Sequence, residues 1–562
     1  MDTYFNLGKY SRAISTSSKD AQIWFTRGLN WCYGFNHEEG VKCFHKAIKI
    51  DPKCAMAHWG VAYGSGPFYN LPWRHFGDLE LKKYTKLCYD HIQVAKSLIP
   101  HVSEFEADLI NALSARFQID HSVTAEEFDQ WDDDYSNATR ELYKKYPQDI
   151  DIMAIFAEAM ITRTPWRLWN IKLNEPAENS DVIEALDVLN KAIALRNEQK
   201  LTQHPLILHL HIHATEMSSA PEQSLEAANI LRTLCPDVGH MNHMPGHTYV
   251  LCGLYEEAKI ASEKAIIADR LYLDYAGPYN FYTTARCHDL HLMMYTCMLL
   301  GQFEPAWEAA QEMCNTLSRD VLEVSDRPQL AITMEGYYSM AMHVLIRFGK
   351  WQEIIDTPMP DCPILYPVST PMHHYAKGIA HAALGQFTEA DDQRSSFYCS
   401  LKRVPKDRKF FNNLAIDVLA VAEKMLEGEV EYHKENYEEA YGHLRESISR
   451  DDNLAYTEPW AWMHPPRHAL GALLMEQGHY KEAEEVYRTD LGLINTLPRC
   501  QQHLDNVWSL HGLFECLRNR NEDKEIITIS KKLSLAMLKT DIPITSSCCC
   551  RKHTENTLCC QN

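Results

Sequence analysis

Much of what this chain of 562 residues is can be read from what it lacks. It is short of positive charge: 55 Lys and Arg stand against 76 Asp and Glu, a formal charge of -21. Such a surface repels phosphate backbones and anionic bilayers, so nucleic acid is not expected as a partner. No segment approaches the ~20 uninterrupted apolar residues of a membrane span, and the opening MDTYFNLGKYSR carries no apolar signal core. A soluble, cytoplasmic protein without a transmembrane segment is expected, its oligomeric state open. No Ser/Gly-rich or Pro-rich linker interrupts the chain. The Gly-rich GSGPF at Gly64 runs into aromatics and has neither the Lys nor the hydroxyl of a phosphate loop, and no nucleophile elbow occurs. Paired cysteines are also missing. Those before Cys500 are scattered singly on helical patterns, which suits reduced thiols; only Cys548, Cys549, Cys550, Cys559 and Cys560 cluster, after the last helical pattern. That end reads as a disordered tail, with S-palmitoylation or adventitious metal binding as its alternatives.

What is present is helical and repetitive. From Ala21 the residues Trp24, Gly28, Trp31, Gly40, Phe44, Ala47 and Pro52 stand at offsets 4, 8, 11, 20, 24, 27 and 32 of a 34-residue window. This is the tetratricopeptide (TPR) spacing: small residues at 8 and 20 let two antiparallel helices touch, aromatics fill the gaps, and proline ends the second helix. The turn between paired helices recurs as GLYEEA at Gly253, GQFEPA at Gly301, GQFTEA at Gly385, ENYEEA at Glu435 and GHYKEA at Gly478. The expected fold is all-α, a TPR-type α-solenoid forming a curved or partly closed superhelix. It divides into an N-terminal TPR pair with irregular helices over 1–150, central His-rich repeats over 151–350, C-terminal repeats over 351–540, and a disordered Cys-rich tail over 541–562.

Several longer stretches carry a resemblance: YGFNHEE (Tyr33 to Glu39), CAMAHWG (Cys54 to Gly60), IHATE (Ile212 to Glu216), GHMNHMPGHTY (Gly239 to Tyr249) and EPWAWMHPPRHALGALL (Glu458 to Leu474). In these the chain resembles a family of large tetratricopeptide proteins, mostly bacterial but also eukaryotic. A more distant likeness, to tetratricopeptide repeat protein 38, lies in the same His-rich pair of helices. The resemblance implies a fold and no settled activity. Where relatives often read His-Asn before a second His, this chain has His288, Asp289 and His291.

Nine of the 28 histidines fall between His204 and Tyr295. Counting from Ala258, Ala306 and Ala227 puts His240, His243 and His247 at offsets 2, 5 and 9, His288 and His291 at 2 and 5, His209 at 2 and Glu216 at 9. In the proteins this chain resembles, those positions line the concave groove. Residues three or four apart share a helix face, pairing His209 with His213, His240 with His243, and His243 with His247. An i, i+4 histidine pair is a recurring two-ligand unit, so the candidate metal ligands are His209, His213, His240, His243, His247, His288 and His291, for a divalent transition metal such as zinc, iron or copper. Glu216 is the candidate catalytic residue, as general base, ligand or orienter of a ring N–H; Asp289 could do the last of these. Packing is the competing reading for each histidine. His211 alternates away from His209 and His213, and His37 reads as a turn or inter-repeat contact. His373, His374, His464, Arg467 and His468 read as helix-start packing or the far end of the groove, and Glu158 as a helix-boundary or groove-facing acid.

Two functions follow. The default for the architecture is a binding protein whose groove holds a peptide, a protein segment or a small molecule, with a candidate metal site. The alternative is a metal-dependent hydrolase or oxidoreductase built on the central histidines.

Overall fold

The protein is described from a computed structural model, which covers residues 4–323 and 328–551. It is all-α apart from two short β-ladders, and the chain falls into two compact units: Met1–Thr248 with Lys264–Arg286, and Tyr249–Glu263 with Cys287–Asn562. No described helix is long and apolar enough to cross a membrane.

In the first unit the TPR window becomes the helix pair α1 (Lys19–Tyr33) and α2 (His37–Ile50), followed by α3 (Ala55–Ser65). The small residues do what their spacing requires. A Cβ on Gly28 or on Gly60 would lie 2.4 and 2.6 Å from the Phe44 ring, and one on Gly40 would lie 2.5 Å from Cys32 Sγ. Phe44 therefore fills the space between two glycine faces. The irregular third is a run of longer helices, α4 (Asp78–Ser97), α5 (Glu104–Leu113), α6 (Ala125–Lys145) and α7 (Ile150–Thr162). Ser103 with Glu106 and Thr124 with Glu127 form capping boxes that start α5 and α6, and the Asp149 side chain accepts from Ile152 N to start α7. The polar connection before α8 (Val182–Gln199) holds a small antiparallel hairpin, β1 (Trp169–Asn170) on β2 (Glu175–Pro176). Then come α9 (Pro205–Glu216), α10 (Leu225–Leu231) and α11 (Gly239–Leu251), the last of these in this unit up to Thr248; of α12 (Tyr255–Ala276) the part from Lys264 belongs here.

The second unit begins its own run with α13 (Tyr282–Leu300), α14 (Phe303–Thr316), α15 (Arg319–Leu322), α16 (Pro328–Tyr338), α17 (Met340–Arg347) and α18 (Trp351–Asp356). The pairs α19 (Ser369–Ala383) with α20 (Phe387–Leu401), α21 (Ala415–His433) with α22 (Tyr437–Asp451), α23 (Pro466–Glu476) with α24 (Tyr480–Asp490), and α25 (Val507–Arg520) with α26 (Asp523–Met537) complete it. A second hairpin, β3 (Lys409–Phe410) on β4 (Asn413–Leu414), precedes α21. A Cβ on Gly471 or on Gly512 would lie 2.5 and 2.2 Å from the Tyr487 ring, the same device as at Phe44. At the five recurrent turns the residue ahead of the second helix is left-handed: Gly253, Gly301, Gly385 and Gly478 at φ between 72° and 80°, and Glu435 at 69°.

The tail departs from expectation. The folded array does not stop near residue 540; Asp541–Arg551 are packed onto the second unit. The Asp541 carboxylate accepts the first two backbone N–H groups of α14, from Phe303 at 2.7 Å and Glu304 at 2.9 Å. The Ser547 carbonyl accepts from Arg347 Nη2 at 2.6 Å, its hydroxyl donates to the His468 carbonyl at 3.0 Å, and Ile544, Ser547 and Cys550 are buried. The segment lacks helical periodicity, so its anchoring groups, a helix cap and a carbonyl for a buried guanidinium, leave no pattern in sequence. Residues 552–562, with Cys559 and Cys560, lie outside the described residues. The sixteen described cysteines are free thiols.

Candidate metal centre

Three pieces of the first unit build the site: the α1–α2 turn, the C-terminal two turns of α9, and α11. His204 caps α9, its Nδ1 accepting from Ile207 N at 3.4 Å, and Pro205 supplies the first helical residue. The helix spacing then stacks His209, His213 and Glu216 on one face. His211, on the opposite face, contacts Ser224 Oγ at 2.7 Å and Asn190 Oδ1 at 3.0 Å; it is a packed residue, as its alternation indicated.

Glu216 is the hinge of the arrangement. Its Oε1 accepts from His213 Nδ1 at 2.8 Å and its Oε2 from His247 Nδ1 at 2.7 Å. His209 Nδ1 in turn donates to the Tyr33 carbonyl at 2.8 Å. These bonds assign the tautomers, because a neutral imidazole that donates from Nδ1 carries its lone pair on Nε2. The Nε2 atoms of His209 and His213 face each other at 3.2 Å, and those of His243 and His247 at 2.6 Å. In the His209–His213 pair two lone pairs are turned toward one another, and they repel unless a cation lies between them. Ligands 2.0–2.1 Å from a tetrahedral zinc are about 3.3 Å apart, close to the His209–His213 separation. His240 supplies a third donor: ligand atoms of His209, His213 and His240 all lie within 4.8 Å of one another, as do those of His213, Glu216 and His247. These buried groups could hold a metal ion.

The cluster is dry. Every one of these side chains is at most 4% exposed, so the imidazoles that the repeat register assigns to a groove are interior. Burial holds His209 well below the ordinary histidine value, with His213 and His247 adding to the effect, and keeps it neutral. The cover is aromatic. The Phe35 ring stands 4.2, 5.8 and 5.3 Å from the rings of His209, His213 and His240, and Tyr69 lies 4.5 Å from His213. Phe35 occupies the turn position that is glycine in four of the five later turns, and takes its left-handed conformation, φ 58°. A strained non-glycine residue at that point is explained by what its ring covers. Gly34 beside it lets the turn press on the start of α11, since a Cβ there would lie 2.4 Å from Val238 Cγ1. Phe35 and Tyr69 were not among the residues singled out from sequence; the signal for Phe35 was a Phe where the repeat turn elsewhere has Gly.

His288 and His291 are on the part of α13 that belongs to the second unit, where His291 packs against Tyr337 at 5.5 Å and Phe411 at 5.4 Å. His37 is in hydrogen-bond contact with the Gly64 carbonyl at 3.2 Å and stacks on Phe68 at 3.8 Å. Glu158 faces no groove: it is 1% exposed, accepts from Thr162 at 3.0 Å and lies 3.7 Å from the buried Arg116 guanidinium. In the second unit His373 meets the Ser369 carbonyl at 2.8 Å, His464 pairs with His343 at 3.0 Å, and His468 bonds Asp490 at 2.9 Å.

No protein-family model matches the chain, and no curated protein matches it. Solved structures match along most of its length. The human IFIT1 dimer with m7Gppp-AAAA is 11% identical, covers 93% of this chain and 91% of that one, and superposes with a TM-score of 0.32. The Cut9–Hcn1 hetero-tetramer of the APC/C is 14% identical over 92% of this chain and 76% of that one, TM-score 0.30. Yeast Tom70 is 12% identical over 92% and 93%, TM-score 0.27. These are TPR-repeat proteins. At such TM-scores nothing about ligand or chemistry passes from them, and the function is argued from the chain's own residues.

Proposed function

We propose that this chain is a TPR-type binding protein whose first unit holds a divalent transition metal, zinc, iron or copper, on His209, His213 and His240, with His243 and His247 as the adjoining ligand pair. The observation that carries the reading is the facing Nε2 pair of His209 and His213, both rings donating from Nδ1 to fixed acceptors. Glu216 orients two imidazoles through their far nitrogens, the arrangement by which a carboxylate sets the tautomer of metal-bound histidine. This occupies both its oxygens, which favours an orienting over a general-base role and the binding protein over the metal-dependent enzyme. In this reading the metal stiffens the seam of α1–α2, α9 and α11, and the helical array offers its surface to a peptide or small organic ligand. The HMPGHTY stretch, which supplies His243 to Tyr249 of α11, would be the sequence mark of that seam.

The test is elemental analysis and calorimetry on the purified protein, before and after chelation, with zinc, copper, iron and manganese. One equivalent is expected to depend on this cluster: it is lost in the double variant His209→Ala, His213→Ala and weakens about 10–100-fold in Glu216→Gln. Binding that is no tighter to the intact chain than to the double variant would overturn the metal reading. The fold would be untouched by that result.

A further inference from the structure

A second group of imidazoles lies on the α2–α3–α4 face of the first unit, separate from Glu216 and its partners. His45 comes from α2, His58 from the first turn of α3 and His91 from α4. His58 Nδ1 and His91 Nδ1 are 3.0 Å apart, with ring centroids at 5.1 Å; the His45 and His91 centroids are at 5.5 Å, the rings edge to face. Two imidazoles on one tetrahedral ion have their centroids about 5 Å apart, given metal–nitrogen bonds of 2.0–2.1 Å, and both measured separations match that distance. Three consecutive helices thus set three imidazoles side by side, His58 and His91 with their Nδ1 atoms in contact and the exposed His45 ring edge-on to His91. Burial lowers all three imidazoles from the ordinary value, His91 to about 4, so they are neutral and able to ligate near pH 7.

We propose that His45, His58 and His91 form a second metal site, open to solvent on one side, that takes a divalent transition-metal ion with an affinity for imidazole: zinc, nickel or copper. Its exposure pattern sets it apart from the interior cluster. His58 is 8% exposed and fixed in the helix pair, His91 is half-buried, and His45 is exposed. His45 can turn its ring onto an arriving ion, and the solvent side leaves room for a water or an exchangeable ligand as the fourth group. Such an open site exchanges its ion with the medium, where a dry interior site retains it.

Titration of the chelated full-length protein with nickel and cobalt separates the two sites. Cobalt reports tetrahedral nitrogen coordination by visible d–d absorption, and calorimetry counts equivalents. The proposal expects one equivalent that survives in the His209→Ala, His213→Ala variant, weakens at least 10-fold in His91→Ala, and weakens in His45→Ala, a substitution at an exposed position. Circular dichroism of each variant confirms the fold. If no equivalent responds to His91→Ala or His45→Ala, the site does not exist, whatever the interior cluster binds. If the interior cluster binds nothing, the His91-dependent equivalent is still expected.

Discussion

Phe35 concentrates the residue-scale argument. A left-handed backbone costs a non-glycine residue about 1–2 kcal/mol, whereas truncating a buried Phe costs about 3–5 kcal/mol. Burial outweighs strain, so Phe35→Gly is expected to destabilise the protein by a few kcal/mol and to open the histidine cluster to water. Glu435 holds the same turn position at φ 69° with an exposed side chain, so Glu435→Gly is expected to be neutral or slightly stabilising. Paired thermal melts decide between them. Equal effects would mean that the Phe35 ring contributes nothing beyond its turn. Phe35 was invisible as a site residue because its meaning depends on which imidazoles lie under the ring, and those are about 170 to 200 positions away in the chain.

At the scale of the element, the helix pairs were readable and the tail was not. Offsets 8 and 20 must be small wherever two helices cross closely, and the turn must be left-handed where the second helix doubles back, so both leave marks at fixed spacing. Asp541–Arg551 follow no such period. Their stabilising work is a cap for α14 and a carbonyl for Arg347, a guanidinium only 4% exposed. Leaving a buried charged donor without its acceptor costs about 1–3 kcal/mol or more, and the lost cap adds about 1 kcal/mol. A chain ending at Thr540 is therefore expected to melt several degrees lower than the full chain. A chain ending at Arg551 is expected to melt with it. If the first truncation leaves the melting temperature unchanged, the tail segment is a passenger on the second unit.

For the whole molecule the buried histidines set a pH dependence. His37 and His343 are lowered by burial to about 3, and His373 to about 4. In the unfolded chain each takes up a proton near 6.5, while in the folded chain it stays neutral. The unfolded state then binds more protons between about pH 4 and 6.5, so the stability these groups contribute is whole above 6.5 and falls as the pH drops through that window. Each group supplies at most about 1.4 kcal/mol per pH unit. Chemical denaturation at pH 7.5, 6.5, 5.5 and 4.5 is expected to show a steepening loss below 6.5, with at least two protons taken up on unfolding. A flat profile over that range would mean that these imidazoles are solvated in the native state.

Sequence by itself determined the class of fold, because helix amphipathicity, small residues at helix crossings and the turn residue recur with fixed periods and act locally. It also determined which residues of α9 and α11 share a face: the i, i+4 pairs His209–His213 and His243–His247 are set by 3.6 residues per turn alone. Tertiary structure decided what those faces meet. It turned both oxygens of Glu216 to imidazole N–H groups on two different helices, and it buried the cluster under Phe35 and Tyr69. It gathered His45, His58 and His91 from three helices on which each had stood as an unremarked single histidine, and it docked the tail. Each of these depends on packing between segments distant in the chain, and such contacts leave no period to read.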